Sequence, residues 1–129
     1  DAVKINDTIK ITILLLLSSF CHAQVMQIEP QQLLKQIQDQ QSLTIVDVRS
    51  EAEYAQGHIA GAINIPYDQI LKHKDKLSAY KNQNVILYCH SGRRAKIAAA
   101  TLQAEGLTQL SDLNGHMILW QKLHYPLVK

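Results

Sequence analysis

Short runs of β-branched and aliphatic residues alternate with amphipathic stretches along most of this chain, and that alternation constrains the fold more than any other feature. Thr44-Ile45-Val46-Asp47-Val48, Ala62-Ile63-Asn64-Ile65, Asn84-Val85-Ile86-Leu87-Tyr88 and Gln109 to Leu113 read as four short strands. Helical patterns lie between them. Glu29-Pro30 opens a helix that runs to about Gln40, with Pro at its first position and Leu33, Leu34 and Ile37 on one face. Ser50 and Glu53 have capping-box spacing, which starts a short helix ended by Gly57. Tyr67 to Tyr80 mixes Ile70, Leu71 and Leu77 with lysines, as an exposed amphipathic helix would. Ala95 to Glu105 is an Ala-rich helix closed by Gly106, and His116 to Leu123 supplies a last turn or two. Strands separated by helices require crossover connections, so the expected fold is α/β with a mainly parallel sheet flanked by helices.

The 129 residues suffice for one core. Thirteen Lys and Arg against eleven Asp and Glu leave a net charge of +2, too small for a broad nucleic-acid-binding face. Residues 1–23 read differently from the rest. Lys4 and Lys10 precede an apolar run from Ile11 to Phe20, and Ala23 follows. This is the pattern of a secretory signal peptide, too short to span a bilayer. The alternative is a buried core helix. A lipid-bearing Cys21 is disfavoured by the bulky Phe20 before it. The expected organisation is therefore a signal peptide over residues 1–23 and one domain over 24–129. The product would be exported to the periplasm, with no stable membrane insertion after cleavage.

Cys89 and Cys21 are the two cysteines, too few for a disulfide scaffold. Removal of the leader leaves Cys89 alone, either as a buried bystander or as a reactive thiol. Its position favours the second. It follows a strand and precedes a helix, where ligands bind in open parallel sheets. The loop reads Cys89-His90-Ser91-Gly92-Arg93-Arg94. A helix start offers unpaired N–H groups, Gly92 lets the loop curl into an anion nest, and Arg93, Arg94 and His90 add positive charge. Such surroundings stabilise a thiolate and would also hold an anionic substrate.

Two longer stretches resemble the rhodanese domain family. The first runs Ile45-Val46-Asp47-Val48-Arg49-Ser50, Glu53-Tyr54, Gly57-His58-Ile59, Gly61-Ala62 and Asn64-Ile65-Pro66. The second is Tyr88-Cys89-x-Ser91-Gly92-x-Arg94-Ala95, and Leu113-x-Gly115 with Trp120 is similar to the family's closing segment. The resemblance covers about residues 25–127. It implies a single α/β domain around a five-stranded parallel sheet, and sulfur transfer through a persulfide on Cys89. It also implies an internal Arg49–Glu53 ion pair. The family usually has a second glycine after Gly115, where this chain has His116. That residue either reshapes the wall beside the loop or points to solvent.

The resemblance implies a cycle in which Cys89 takes sulfur from a small anionic donor such as thiosulfate. A thiophilic acceptor (cyanide, a thiol or a thiol protein) then removes it. His90, Ser91, Gly92, Arg93 and Arg94 would bind the donor, with Asp47, Arg49, Glu53 and His58 in support. Asp47 is placed either to bond loop amides or to orient an arginine, and His58 to fix a turn. The other readings are a sulfur-carrier or docking module, and a phosphatase or arsenate reductase. The last is disfavoured because those relatives have a loop one residue longer than the six from Cys89 to Arg94. No cofactor is expected. No metal is expected either, since there is no Cys-x-x-Cys and no His pair at structural-zinc spacing. The Lys72 to Lys76 run reads as a solvated helix face.

Overall fold

The structure, a computed structural model, describes residues 24–129. Residues 1–23, the expected signal peptide, lie outside the described residues. Five strands form one sheet: β1 (Met26–Ile28), β2 (Thr44–Asp47), β3 (Ala62–Asn64), β4 (Val85–Tyr88) and β5 (Leu110–Leu113). Their order is β1-β5-β4-β2-β3, and every pairing is parallel. The helices are α1 (Pro30–Gln38), α2 (Glu51–Gln56), α3 (Lys74–Ser78), α4 (Arg93–Ala104) and α5 (His116–Lys122), with a 3-10 segment at Tyr67–His73.

Helices cover both faces of the sheet, so β4 is buried throughout and β2 at every position but Thr44, and both read as near-continuous apolar runs. Side chains alternate between two cores. Val46, Val85 and Leu87 face Ala95, Ala98, Ala99 and Leu102 of α4 together with Ile70 and Leu77. Ile45, Ile86 and Tyr88 face Leu33 of α1 and Met117 and Trp120 of α5. The buried positions of α4 recur at helical spacing. Their small side chains suit close approach to the strands.

Two expectations change. β1 is a strand that the sequence pattern does not show: it has three residues, of which only Ile28 is buried, and its definition comes from pairing with β5. Tyr67 to Tyr80 is not one helix but the 3-10 segment followed by the single short helix α3. Ile70 and Leu77 anchor this stretch while Leu71 is exposed, so no continuous apolar stripe holds a longer α-helix on the sheet. Residues 71–76, including the lysine run, are solvent-exposed.

Candidate active site

β2 and β4 are neighbours, with Asp47 opposite Tyr88 at their carboxyl ends. From β2 the chain steps outward to β3, whereas from β4 it steps the other way to β5. That reversal opens a crevice beyond the strand ends. Cys89 sits there, directly after β4.

The loop then curls back on itself. Gly92 has φ +118°, a backbone state open to glycine, and α4 begins at the next residue. The curl aims two amides at the sulfur: Gly92 N–H donates to Cys89 Sγ at 3.0 Å and Ala95 N–H at 3.4 Å. From the other side α5 holds the loop's backbone. Met117 N–H donates to the Cys89 carbonyl at 3.1 Å, and Ile118 N–H to the His90 carbonyl at 3.2 Å. A Cβ on Gly92 would stand 3.1 Å from His116 Nε2. Gly92→Ala should therefore destabilise the fold by about 1–3 kcal/mol, through a disfavoured φ and a crowded ring. Chemical denaturation checks this; an unchanged midpoint would mean that the loop relaxes freely.

His116 does not point to solvent. It is 4% exposed, and Cys89 N–H donates to its Nδ1 at 3.1 Å. Its Nε2 lies 3.2 Å from Asp112 Oδ2 on β5. Asp112 was not among the sequence-derived site residues. Its four-residue spacing from His116 carries no signal, because Asp112 lies on a strand and His116 begins the next helix. Nδ1 accepts the Cys89 amide only while it is bare, so with a neutral thiol the ring carries its proton on Nε2, toward Asp112.

The electrostatics of the two groups are linked. Burial pushes the Cys89 thiol up. The His116 hydrogen bond, the Ala95 and Gly92 amides and the ring's charge outweigh it, and the thiol falls from 9.0 to about 7. Burial also opposes charge on His116, yet hydrogen bonds and charges from Asp112 and Cys89 raise it from 6.5 to about 9. Thiol ionisation thus favours a second proton on the ring, at Nδ1, and that proton turns Nδ1 from acceptor of the Cys89 amide into donor toward Sγ, so that the thiolate–imidazolium pair replaces the amide bond.

The expected Arg49–Glu53 pair is absent. Arg49 precedes the helix cap, so its side chain turns inward instead of lying along α2. It binds Asp47 through Nε and Nη2 at 2.7–3.1 Å and donates to the Gly57 carbonyl at 2.7 Å. Asp47 thus orients an arginine; its Oδ1 also accepts the Arg49 N–H. Asn64 joins the strand ends by donating to the carbonyls of Asp47 and Arg49.

Glu53 is at the third position of α2, where Ser50 caps it reciprocally. From there it takes Arg94 in a two-pronged pair at 2.6 and 2.9 Å. The Arg94 hydrogen bond, working against partial burial, lowers the Glu53 carboxyl from 4.5 to about 2. Arg94 therefore ties the start of α4 to α2. His90, Ser91 and Arg93 are exposed.

His58 stands apart from the loop. Its ring bonds the Tyr54 carbonyl at 2.9 Å and stacks on Tyr54, and its backbone pairs with Val128. Tyr88, on the opposite face of the sheet from Cys89, accepts the Ile59 N–H on its hydroxyl at 3.0 Å. Two clefts flank the loop. One, of about 450 Å³, is lined in part by Gly92, Lys96, Asp112 and His116. The other, of about 470 Å³, is lined in part by Ser50, Tyr67 and Arg94. Among the described residues no group of three His, Cys, Asp or Glu is arranged to hold a metal ion. No described helix is long and apolar enough to cross a membrane.

Comparison with known proteins agrees with this geometry. A protein named sulfurtransferase from Allochromatium vinosum is 32% identical over 104 residues, which are 81% of this chain and 95% of that protein. YrkF of Bacillus subtilis, named as a candidate sulfur carrier protein, is 33% identical over 86 residues. That match spans 67% of this chain but only 45% of YrkF. The crystal structure of a rhodanese-related protein from Thermoplasma volcanium superposes with a TM-score of 0.68 at 28% identity, covering 80% of this chain and 97% of that one. A sequence profile described as "Rhodanese-like domain" matches residues 29–123. With its parallel five-stranded sheet and its cysteine loop at the strand ends, the chain belongs to the rhodanese-like domain family.

Proposed function

We propose that the protein is a sulfurtransferase that carries sulfane sulfur as a persulfide on Cys89. The donor is a small anion such as thiosulfate, and the acceptor is a thiophile such as cyanide, a thiol or a thiol protein. One observation carries this reading: Sγ receives the Gly92 and Ala95 amides inside a cation-bearing loop, surroundings that hold the thiol below its ordinary value, at about 7. The thiolate is the nucleophilic form. It attacks the outer sulfur of thiosulfate, the Sγ–S bond forms, and the donor's S–S bond breaks with its electron pair leaving on sulfite. Loop amides and Arg93 supply positive potential to the anionic donor and the departing sulfite. Arg94, engaged by Glu53, acts chiefly as a strut that keeps the loop in shape.

Likeness to YrkF supports a carrier variant of this reading, in which the same persulfide forms but is discharged to a dedicated partner. Intact-mass measurement after incubation with thiosulfate tests both. The expected product is one sulfur atom heavier, and its rate of formation rises with pH through about 7 and then levels off. Cyanide then removes the mass and releases thiocyanate. Loading without turnover on any small acceptor selects the carrier variant. No gain from any sulfane donor overturns both.

The basic start and apolar run before Ala23 support export. Mass spectrometry of a periplasmic fraction from a bacterial host should find Gln24 at the N-terminus. An unprocessed chain in the cytoplasm is the opposing result.

A further inference from the structure

We propose that His116 is a catalytic residue of the cysteine loop and that Asp112 is its positioning residue: the buried ring places a cation beside Sγ, where sulfur leaves and returns. This rests on the sulfur-transfer reading above and adds to it a residue for the discharge step.

Three observations support the assignment. The ring bridges two elements: while neutral it takes the Cys89 amide at 3.1 Å on Nδ1, its Nε2 faces the Asp112 carboxylate at 3.2 Å, and protonation frees Nδ1 to donate to Sγ instead. It is buried although it is polar, and among the described residues no buried side-chain nitrogen or oxygen lacks a partner. Its backbone also sits at φ +51°, a left-handed state that side chains with a Cβ seldom adopt. A strained, buried, fully bonded imidazole against the reactive atom is the pattern expected of a functional group.

The chemistry gives the ring a definite task. On discharge, the acceptor's electron pair attacks the outer sulfur of Cys89–S–S⁻. The new bond to that sulfur forms, the Sγ–S bond breaks, and its electron pair returns to Sγ as thiolate. With cyanide the products are thiocyanate and Cys89–S⁻. Charge balances and no outside reductant or proton is consumed. A thiol leaves more readily the less basic it is, so a cation held beside Sγ speeds this step. The same cation favours the thiolate for the next loading. Asp112 keeps the ring oriented and favours its protonated form.

The other charged groups nearby are paired with each other or solvent-exposed. Arg94 is paired with Glu53, and Asp47 with Arg49. Lys96 lines the cleft beside His116 and Asp112 but is exposed, as are Arg93 and His90.

His116→Asn is the informative variant. Asn tolerates a positive φ, and its carbonyl can accept the Cys89 amide, but it carries no charge. Asp112→Asn tests the positioning role. The first readout is the ultraviolet absorbance of the thiolate against pH, taken as a difference from Cys89→Ser, which needs no reagent access and no donor. The midpoint should rise by about 1–2 pH units in His116→Asn, and by less in Asp112→Asn. The second readout is the rate at which cyanide discharges protein loaded chemically with inorganic polysulfide. At fixed pH it should fall roughly 3- to 10-fold in His116→Asn. A merely structural role would alter thermal stability but leave the absorbance midpoint and the discharge rate of the folded fraction unchanged, and that result overturns the proposal. If the wild type takes no sulfur from any donor, the sulfur-transfer reading fails. The absorbance titration then still decides whether His116 governs the thiol.

Discussion

Cys89→Ser should abolish sulfur transfer, with a loss on the order of 10⁴-fold or more, the scale on which enzymes lose activity when the nucleophile is removed. The effect is large because the loop is built around the ionised sulfur. Two amides converge on Sγ, and burial would suppress ionisation without them and His116. A serine hydroxyl at the same place stays protonated near neutral pH and cannot hold a sulfane sulfur. The loop's shape should survive, because Cys89 contributes its backbone carbonyl to Met117 and its amide to His116, and serine keeps both. The variant should therefore be folded, with a near-native spectrum, and gain no sulfur mass. Residual transfer at a tenth of the wild-type rate would mean that another group carries the sulfur.

The second large effect is expected of a residue that takes no part in the chemistry. Arg49→Ala should destabilise the protein by about 3–5 kcal/mol, because it leaves a buried carboxylate without its partner. For a domain of this size that lowers Tm by roughly 10–20 °C. Asp47 is 0% exposed and Arg49 6% exposed, so neither charge has water to fall back on. Arg49 also reaches the Gly57 carbonyl and lies over the Tyr88 ring at 5.7 Å. Its loss would loosen the floor on which the cysteine loop stands. Replacing Asp47 and Arg49 together with apolar residues of similar volume should recover much of the stability, because no charge is then stranded. A single-variant cost below about 1 kcal/mol would show that the pair is hydrated. The Glu53–Arg94 pair is the natural control: it is two-pronged but both side chains are partly exposed and solvent-screened, so breaking it should cost less than the buried pair, about 1–2 kcal/mol.

Local chemistry was legible in the sequence where neighbouring residues decide it. Ser50 and Glu53 cap α2 as their spacing requires. The β-branched runs became β2, β3 and β4 because a sheet covered on both faces selects such runs. A cysteine between a strand and a helix, followed by Gly92, marked the reactive loop, and the left-handed backbone at Gly92 is what that glycine allows.

Partnerships between distant residues were not legible. The three residues of β1 carry almost no pattern of their own and become a strand only because β5 lies beside them. The family resemblance implied that Arg49 meets Glu53. Four residues apart implies contact only along a helix, and Arg49 lies before the helix begins. The sheet instead offers it Asp47, and the folded loop brings Arg94 to Glu53 across 41 positions of sequence. His116 shows the division most clearly. In the sequence it is a departure from a glycine pattern, with a wall and a solvent position both open to it. Docking of α5 under the loop turns its ring toward Cys89, 27 residues away, and onto Asp112. Sequence alone determined that a thiol would sit at the strand ends in a cationic loop, because strand, glycine and helix start are adjacent in the chain. Only tertiary packing decided which imidazole and which carboxylate govern that thiol, because charge acts through space and β4, β5 and α5 meet there only once the sheet has formed.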